Sequence, residues 1–260
     1  MRTFLRASLA AVALAGLVAA CGDDGESADS TTTEVVVFAA ASLADAFTEI
    51  GEAFEAANSG STVTFNFAAS SELVTQITAG GAPADVFASA DLKNMTKLVD
   101  AGANGGQPVE FATNLLEIIV AADNPLGITG VEDLANDELI TVVCSPEVPC
   151  GTYAQQIFDA AGVTVTPDSF EENVKGVVTK VTAGEADVGI VYKTDVTAAG
   201  DSAGGVEIPA DINVVAQYPI SMTAAAPNPA GAQAFIDFVL GEAGQTVLAS
   251  YGFLPPSAEG

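Results

Sequence analysis

Four segments of the chain put small or hydroxyl-bearing residues where a helical pattern begins: Ser42, Ser70-Ser71, Cys150-Gly151-Thr152 and Asn173-Val174. The first turn of a helix has N–H groups without intrahelical acceptors and carries the positive end of the helix dipole, so several such starts aimed at one cleft would hold an anion. Each taken alone is equally an ordinary N-cap, worth about 1 kcal/mol to its helix and nothing to a ligand. Tyr192, ending the run Gly189-Ile190-Val191, reads as a phenol offered to a ligand or as an aromatic at a core edge. Asp85 and Asp91, six apart, lack a metal-ligand pattern, and structural roles are expected for both. Cys144 and Cys150, with five residues between them, match neither C-x-x-C redox motifs nor zinc pairs.

Composition narrows these readings. The 260 residues hold 34 Asp and Glu against 7 Lys and Arg, with no His, no Trp and 3 Cys, and 49% are hydrophobic. Both arginines, Arg2 and Arg6, precede an apolar run ending at Cys21, so beyond that run the only cations are lysines. Such a surface repels phosphate backbones and argues against nucleic acid as a partner. The absence of His removes Ser-His-Asp and Cys-His catalysis and His-ligated zinc.

The elements that must position these residues alternate apolar runs with helical periodicity, the signature of an α/β fold with largely parallel strands. Strands are predicted at Val35–Phe38, Val63–Phe67, Ala84–Ala88, Leu115–Ala121, Leu139–Val143 and Val188–Tyr192, then Asn213–Tyr218 and Ser221–Ala225. Helices are predicted from Ser42 to about Ala57, after Ser70-Ser71, from Asp91 to Val99, near Thr152–Ala161, over Val174–Ala183, and around Ala230–Leu240 and Gly244–Ala249. Ser42 and Asp45 form S-x-x-D, which predicts a capping box with Ser42 as N-cap. Two units of similar size joined by extended crossings suggest two lobes and a hinge, with a ligand cleft between them.

Residues 1–20, basic and then apolar from Ala7 to Ala20, predict an export signal peptide. Val18-Ala19-Ala20-Cys21 resembles the bacterial lipobox, in which the Cys is acylated. Residues 21–33 are polar and aperiodic, a flexible tether behind that Cys. The expected location is extracytoplasmic, with a lipid anchor on Cys21 to the outer face of the cell membrane as the only membrane attachment.

The segments V-F-A-A-A-S-L-A-D-A-F at 37–47, F-A-A-S-S-E-L at 67–73, G-A-P-A-D-V-F-A-S-A-D at 81–91, P-E-V-P-C-G-T-Y-A at 146–154, E-N-V-K-G-V at 172–177, D-V-G-I-V-Y at 187–192 and Y-G-F at 251–253 together resemble the molybdate-binding proteins of ABC importers, collinearly from about Glu34 to Phe253. The resemblance implies a type II periplasmic binding protein fold: α/β, two lobes, a hinge and a central cleft. Lobe one is expected at 34–113 with 219–260, and lobe two at 114–218. By position the resemblance assigns the oxyanion to the hydroxyls of Ser42, Ser70 and Tyr192 and to the backbone N–H groups of Cys150 and Val174. Cys150 stands where this family often has Ala, a change that leaves a backbone donor in place. The implied function is a non-enzymatic one, capture of molybdate, and of tungstate too, for delivery to a permease with its ATPase, by a monomer without cofactor. Molybdenum then enters only within the bound oxyanion, with no direct protein ligand to the metal.

The chemistry of such a site agrees with the composition. A fully deprotonated oxyanion offers only acceptors, so its site needs only donors, and hydroxyls, amides and helix ends supply them without Arg or His. A carboxylate would instead favour a protonated ligand such as hydrogen phosphate, and none of the five matched positions is acidic. Sulfate, differing mainly in size, and an anion sensor without transport remain alternatives, as does a redox or metal role for the Cys pair. With Cys21 given to lipid, Cys144 and Cys150 are the thiols left in an oxidising compartment and are expected to form a disulfide, the alternative being two buried thiols. Lys175 and Lys193, beside Val174 and Tyr192, either offset the acidic surface near the cleft or are plain solvated charges.

Overall fold

The computed structural model describes residues 33–257; the expected signal peptide, Cys21 and most of the tether lie outside them. The chain begins with β1 (Thr33–Ala40), α1 (Ala44–Ala57), β2 (Ser61–Ala68), α2 (Ser70–Thr78), β3 (Val86–Ala88) and α3 (Leu92–Asp100). It continues through β4 (Val109–Ala121), β5 (Thr141–Cys144), α4 (Pro149–Ala161), β6 (Ser169–Glu171), α5 (Val174–Thr182), β7 (Val188–Tyr192), α6 (Lys193–Ala199) and β8 (Ala203–Glu207). It closes with β9 (Val215–Met222), α7 (Pro229–Leu240) and α8 (Glu242–Ser250).

Among the described residues the strands form one nine-stranded sheet in the order β2-β1-β3-β9-β4-β7-β5-β6, with β8 also on β4. The βα units pair in parallel, β1 with β2 and β3, and β5 with β6 and β7. β9 and β4 are the antiparallel joints. β4 has two allegiances: Val109–Leu115 pair with β9, whereas Leu116–Val120 pair with β7. At the changeover the Asn213 carboxamide acts as a short piece of strand, accepting from the Leu116 N–H at 3.2 Å and donating to the Leu116 carbonyl at 2.9 Å. The sheet therefore has two halves that share one strand, and at the switch the Leu116 N–H and carbonyl keep a partner in Asn213. The C-terminal end returns to the first half, where Thr113 and Leu254 exchange backbone hydrogen bonds at 2.9 Å.

The first half is built on aromatics. Phe47, fully buried on α1, meets Phe65, Phe111 and Phe235 at centroid distances of 6.3, 5.7 and 6.0 Å. Each buried Phe contributes about 1.5–3 kcal/mol by area, which is what holds α1, β2, β4 and α7 together. Asp85 and Asp91 serve this scaffold. Asp85 accepts from the Val36 and Asn228 N–H groups at 2.8 and 2.6 Å, tying β1 to the start of α7. Asp91 caps α3, accepting from the Asn94 N–H at 2.8 Å and from its side-chain amide at 2.9 Å.

Three local expectations are corrected. Ser42 is no N-cap: it sits inside a 3-10 turn, Ala41–Leu43, that Ala40 opens, and no side chain caps either the turn or α1. The S-x-x-D pattern fails because Ser42 already has turn conformation, so its hydroxyl points away from the N–H groups of α1. The two strands placed at 213–218 and 221–225 are one strand, β9. Pro219 lacks an N–H, and opposite it the register shifts between Glu110 and Ala112, a bulge through which the strand continues. Short β6, β8 and α6 were missed, because runs of three to seven residues carry too little periodicity to register.

Candidate functional site

The four helical starts meet. A cavity of about 20 Å³ is lined by Ala40, Ala41 and Ser42 before α1, Ala69 and Ser70 at α2, Ala90, Pro149 and Cys150 at α4, Asn173 and Val174 at α5, and Tyr192 at the end of β7. All five residues that the sequence assigned to an oxyanion lie on its wall, and no acidic side chain does. So small a space excludes organic ligands, whose pockets run to roughly 300–1,000 Å³, and suits a small ion.

How each donor is presented follows from its neighbours. Ser70 is 1% exposed, and its Oγ accepts from the Ala90 N–H at 3.0 Å, which leaves its own hydrogen for the cavity. Ser42 Oγ lies 3.0 Å from the Tyr218 hydroxyl. Asn173 caps α5 by accepting from the Lys175 and Gly176 N–H groups at 3.0 and 3.4 Å. The Val174 N–H, in the first turn, has no acceptor within its helix. Pro149 opens α4 with its φ already helical and without an N–H to satisfy, and Cys150 is the next donor. The cysteine sulfurs of Cys144 and Cys150 are bonded, with Cα atoms 5.7 Å apart, joining the end of β5 to the first turn of α4. Gly151 permits that junction: a Cβ there would lie 2.0 Å from the Ser145 carbonyl oxygen.

Tyr192 is 1% exposed, and its hydroxyl has no hydrogen-bond partner. A buried hydroxyl left unsatisfied costs about 1–3 kcal/mol, a cost that a ligand acceptor would relieve. Burial pushes its phenol well above the ordinary range, with Tyr218, Tyr153 and the carboxylates of Asp91 and Asp195 adding to the effect. It is therefore neutral and a donor at physiological pH.

Charge is kept one layer back from the wall. Asp195, fully buried on α6, accepts from the Tyr192 N–H at 3.3 Å and lies 3.0 Å from Lys175 Nζ. Burial pushes its carboxyl up to about 6, against the Lys175 charge and the Tyr192 N–H, which lower it. Lys175 also pairs with Asp45 of α1 at 2.7 Å; burial pulls its ammonium down, and Asp195 and Asp45 more than reverse that. Lys193 is bound to Glu207 at 2.8 Å and Lys180 to Glu171. The cleft lysines are thus spent on specific carboxylates and do not offset the wider acidic surface. Tyr218 and Ala90 behind the serines, and Asp45 and Asp195 around Lys175, escaped the sequence reading. Their partners lie 20 to 176 residues away, and no local pattern marks them.

Comparison with known proteins agrees with this geometry. Residues 35–254 match the family model described as bacterial extracellular solute-binding protein. The chain is 43% identical over 252 residues, 95% of its length and 96% of the relative's, to the molybdate-binding protein ModA of Mycobacterium tuberculosis strain H37Rv. It is 32% identical to ModA of Escherichia coli K12, covering 85% of this chain and 88% of that protein. Among solved structures, the substrate-binding domain of a putative molybdenum ABC transporter from Clostridium difficile superposes with a TM-score of 0.65 at 31% identity, over 86% of this chain and all of that one. The periplasmic molybdate-binding protein of Azotobacter vinelandii, at 20% identity and TM-score 0.76 over 86% of this chain and all of that one, shares the two-lobed type II fold. With its helix starts, its donor-lined cavity and these relatives, the chain belongs to the bacterial extracellular solute-binding proteins and stands among the molybdate-binding members that serve ABC importers.

Proposed function

We propose that this protein captures molybdate in the cavity between Ser42, Ser70, Cys150, Val174 and Tyr192 and delivers it to the permease of an ABC importer. As a member of a solute-binding family it is an extracytoplasmic binding protein and not an enzyme, and the oxyanion is its cargo rather than a cofactor. The observation that carries the reading is the Tyr192 hydroxyl, buried without a partner in a cavity whose wall offers donors and no carboxylate. A fully deprotonated tetrahedral dianion supplies acceptors in every direction and satisfies such a wall, whereas hydrogen phosphate would leave its own proton facing donors. Tungstate, of the same charge and shape, is bound as well.

Sulfate is the runner-up. Helix starts fixed in a scaffold cannot follow a smaller ion inward, and each stretched charge-assisted hydrogen bond costs about 1.5–3 kcal/mol, so two of them separate the anions by two orders of magnitude or more. Calorimetric titration with molybdate, tungstate, sulfate and phosphate tests this: tight binding of the first two and weak binding of the others is expected. Equal affinity for molybdate and sulfate overturns the assignment.

The remaining parts of the reading concern how the protein is deployed. A signal peptide at 1–20, acylation of Cys21 and a tether at 21–33 would hold a monomer at the outer membrane face beside its permease and ATPase. No helix among the described residues is long and apolar enough to cross a membrane. Lobes at 34–113 with 219–260 and at 114–218 would close on the anion. Mass spectrometry of the membrane-extracted protein is expected to find an N-terminal diacylglyceryl cysteine from Cys21; an intact residue 1–20 segment overturns the anchor.

A further inference from the structure

We propose that Tyr218 is a positioning residue for the anion site: its hydroxyl donates to Ser42 and thereby commits the Ser42 hydrogen to the ligand. The inference rests on the anion-binding reading above and adds to it a residue outside the cavity wall.

The hydrogen bond between Ser42 Oγ and Tyr218 Oη, 3.0 Å long and buried, can run in either direction when viewed alone. The surroundings of Tyr218 decide it. The ring is fully buried on β9, with Phe253, Tyr192 and Phe111 standing edge-on at 5.4, 5.9 and 6.2 Å, so the hydroxyl cannot swing to another acceptor. Ser42 Oγ is the acceptor in reach of the phenol hydrogen: were Ser42 to donate instead, that hydrogen would be buried without a partner. Ser42, on the cavity wall, has an outlet for its own hydrogen that Tyr218 lacks.

The result is a directed chain, Tyr218 to Ser42 to anion. Ser70 is backed in the same manner by the Ala90 N–H. Both serines of the wall are thus held with a donor behind the oxygen and the hydrogen forward. An unbacked serine could rotate to accept a proton from a ligand; a backed one is a donor only, which favours a fully deprotonated anion over a protonated one. Because Tyr218 lies on β9, at the antiparallel joint between the sheet halves, the polarity of a cavity hydroxyl is set by a strand outside the cavity wall.

A double-mutant cycle tests the chain. Molybdate is titrated calorimetrically into wild type, Tyr218→Phe, Ser42→Ala and the double variant, with phosphate titrated in parallel. Tyr218→Phe keeps the ring packing and is expected to weaken molybdate about tenfold, to narrow the gap to phosphate, and to cost nothing further once Ser42 is Ala. Unchanged affinity in Tyr218→Phe, or the same loss in both Ser42 backgrounds, overturns the proposal. If Tyr218→Phe does not fold, Tyr218→Leu in the same two backgrounds carries the same expectation and the same refutation. Wild type that binds no molybdate at all refutes the functional reading instead, so the two failures are distinct.

Discussion

At Ser70 and Asp195, single side chains tie chemistry to stability in opposite ways. Ser70 accepts from the Ala90 N–H with an oxygen whose hydrogen is left to the ligand, so Ser70→Ala removes one charge-assisted hydrogen bond and strands one buried N–H. Molybdate affinity is expected to fall at least tenfold, with a loss of about 1–2 kcal/mol in stability, read by calorimetry and chemical unfolding. Asp195 works through pH. Its carboxyl is raised from 3.8 to about 6 by burial, so the folded protein binds the proton more readily than the unfolded chain. Its contribution to stability is complete below about pH 4 and is lost as pH rises through 6, a swing of roughly 3 kcal/mol for a two-unit shift. Melting curves are expected to show wild type gaining on Asp195→Asn as the pH falls from 7 to 4. A constant difference across that range removes the assignment.

At the scale of elements, the β5–α4 junction is the most constrained part of the site. The Cys144–Cys150 bond, the Pro149 start and the Gly151 approach to the Ser145 carbonyl all act on the turn that presents the Cys150 N–H. Closing so short a loop by a disulfide stabilises a protein by about 2 kcal/mol. The paired change Cys144→Ser plus Cys150→Ser is expected to lower stability by that amount and to weaken molybdate, since the turn must then be ordered at binding. Retained affinity in a destabilised variant would mean that the bond serves the fold alone. The Lys175 bridge from Asp45 on α1 to Asp195 on α6 is a second such junction, joining an element of the first sheet half to one packed on the second.

For the whole molecule, charge governs approach and neutral dipoles govern capture. The chain carries a formal net charge of −27, and its cleft lysines are paired with carboxylates, so a dianion meets repulsion on the way in. Screening weakens that repulsion, and stopped-flow association rates for molybdate are expected to rise between about 10 and 150 mM salt. A fall with salt would mean that an unpaired cation steers the ligand. On the proposed site the anion meets only groups without net charge, so the dissociation rate is expected to depend little on salt.

Much of this protein was legible in its sequence, and the reason is locality. The periods of 2 and 3.6 that mark Val188–Tyr192 as a strand and Val174–Ala183 as a helix are properties of adjacent residues, as are the helix starts at Ser70, Cys150 and Val174 and the thiol pair at Cys144 and Cys150. Composition alone excluded imidazole chemistry, and the collinear motifs named five of the residues that line the cavity. The tertiary structure decided what depends on distance in space. S-x-x-D at Ser42 looked like a capping box, yet the turn opened one step earlier and the serine met Tyr218, 176 residues away. Asn213–Tyr218 and Ser221–Ala225 read as two strands, yet they form one, with a bulge on β4 opposite Pro219. The lysines looked like free charges until α1, α6 and β8 supplied their partners. A hydrogen bond's direction, a lysine's partner and a carboxyl's proton affinity are each set by atoms that only folding brings together, and no local pattern encodes them.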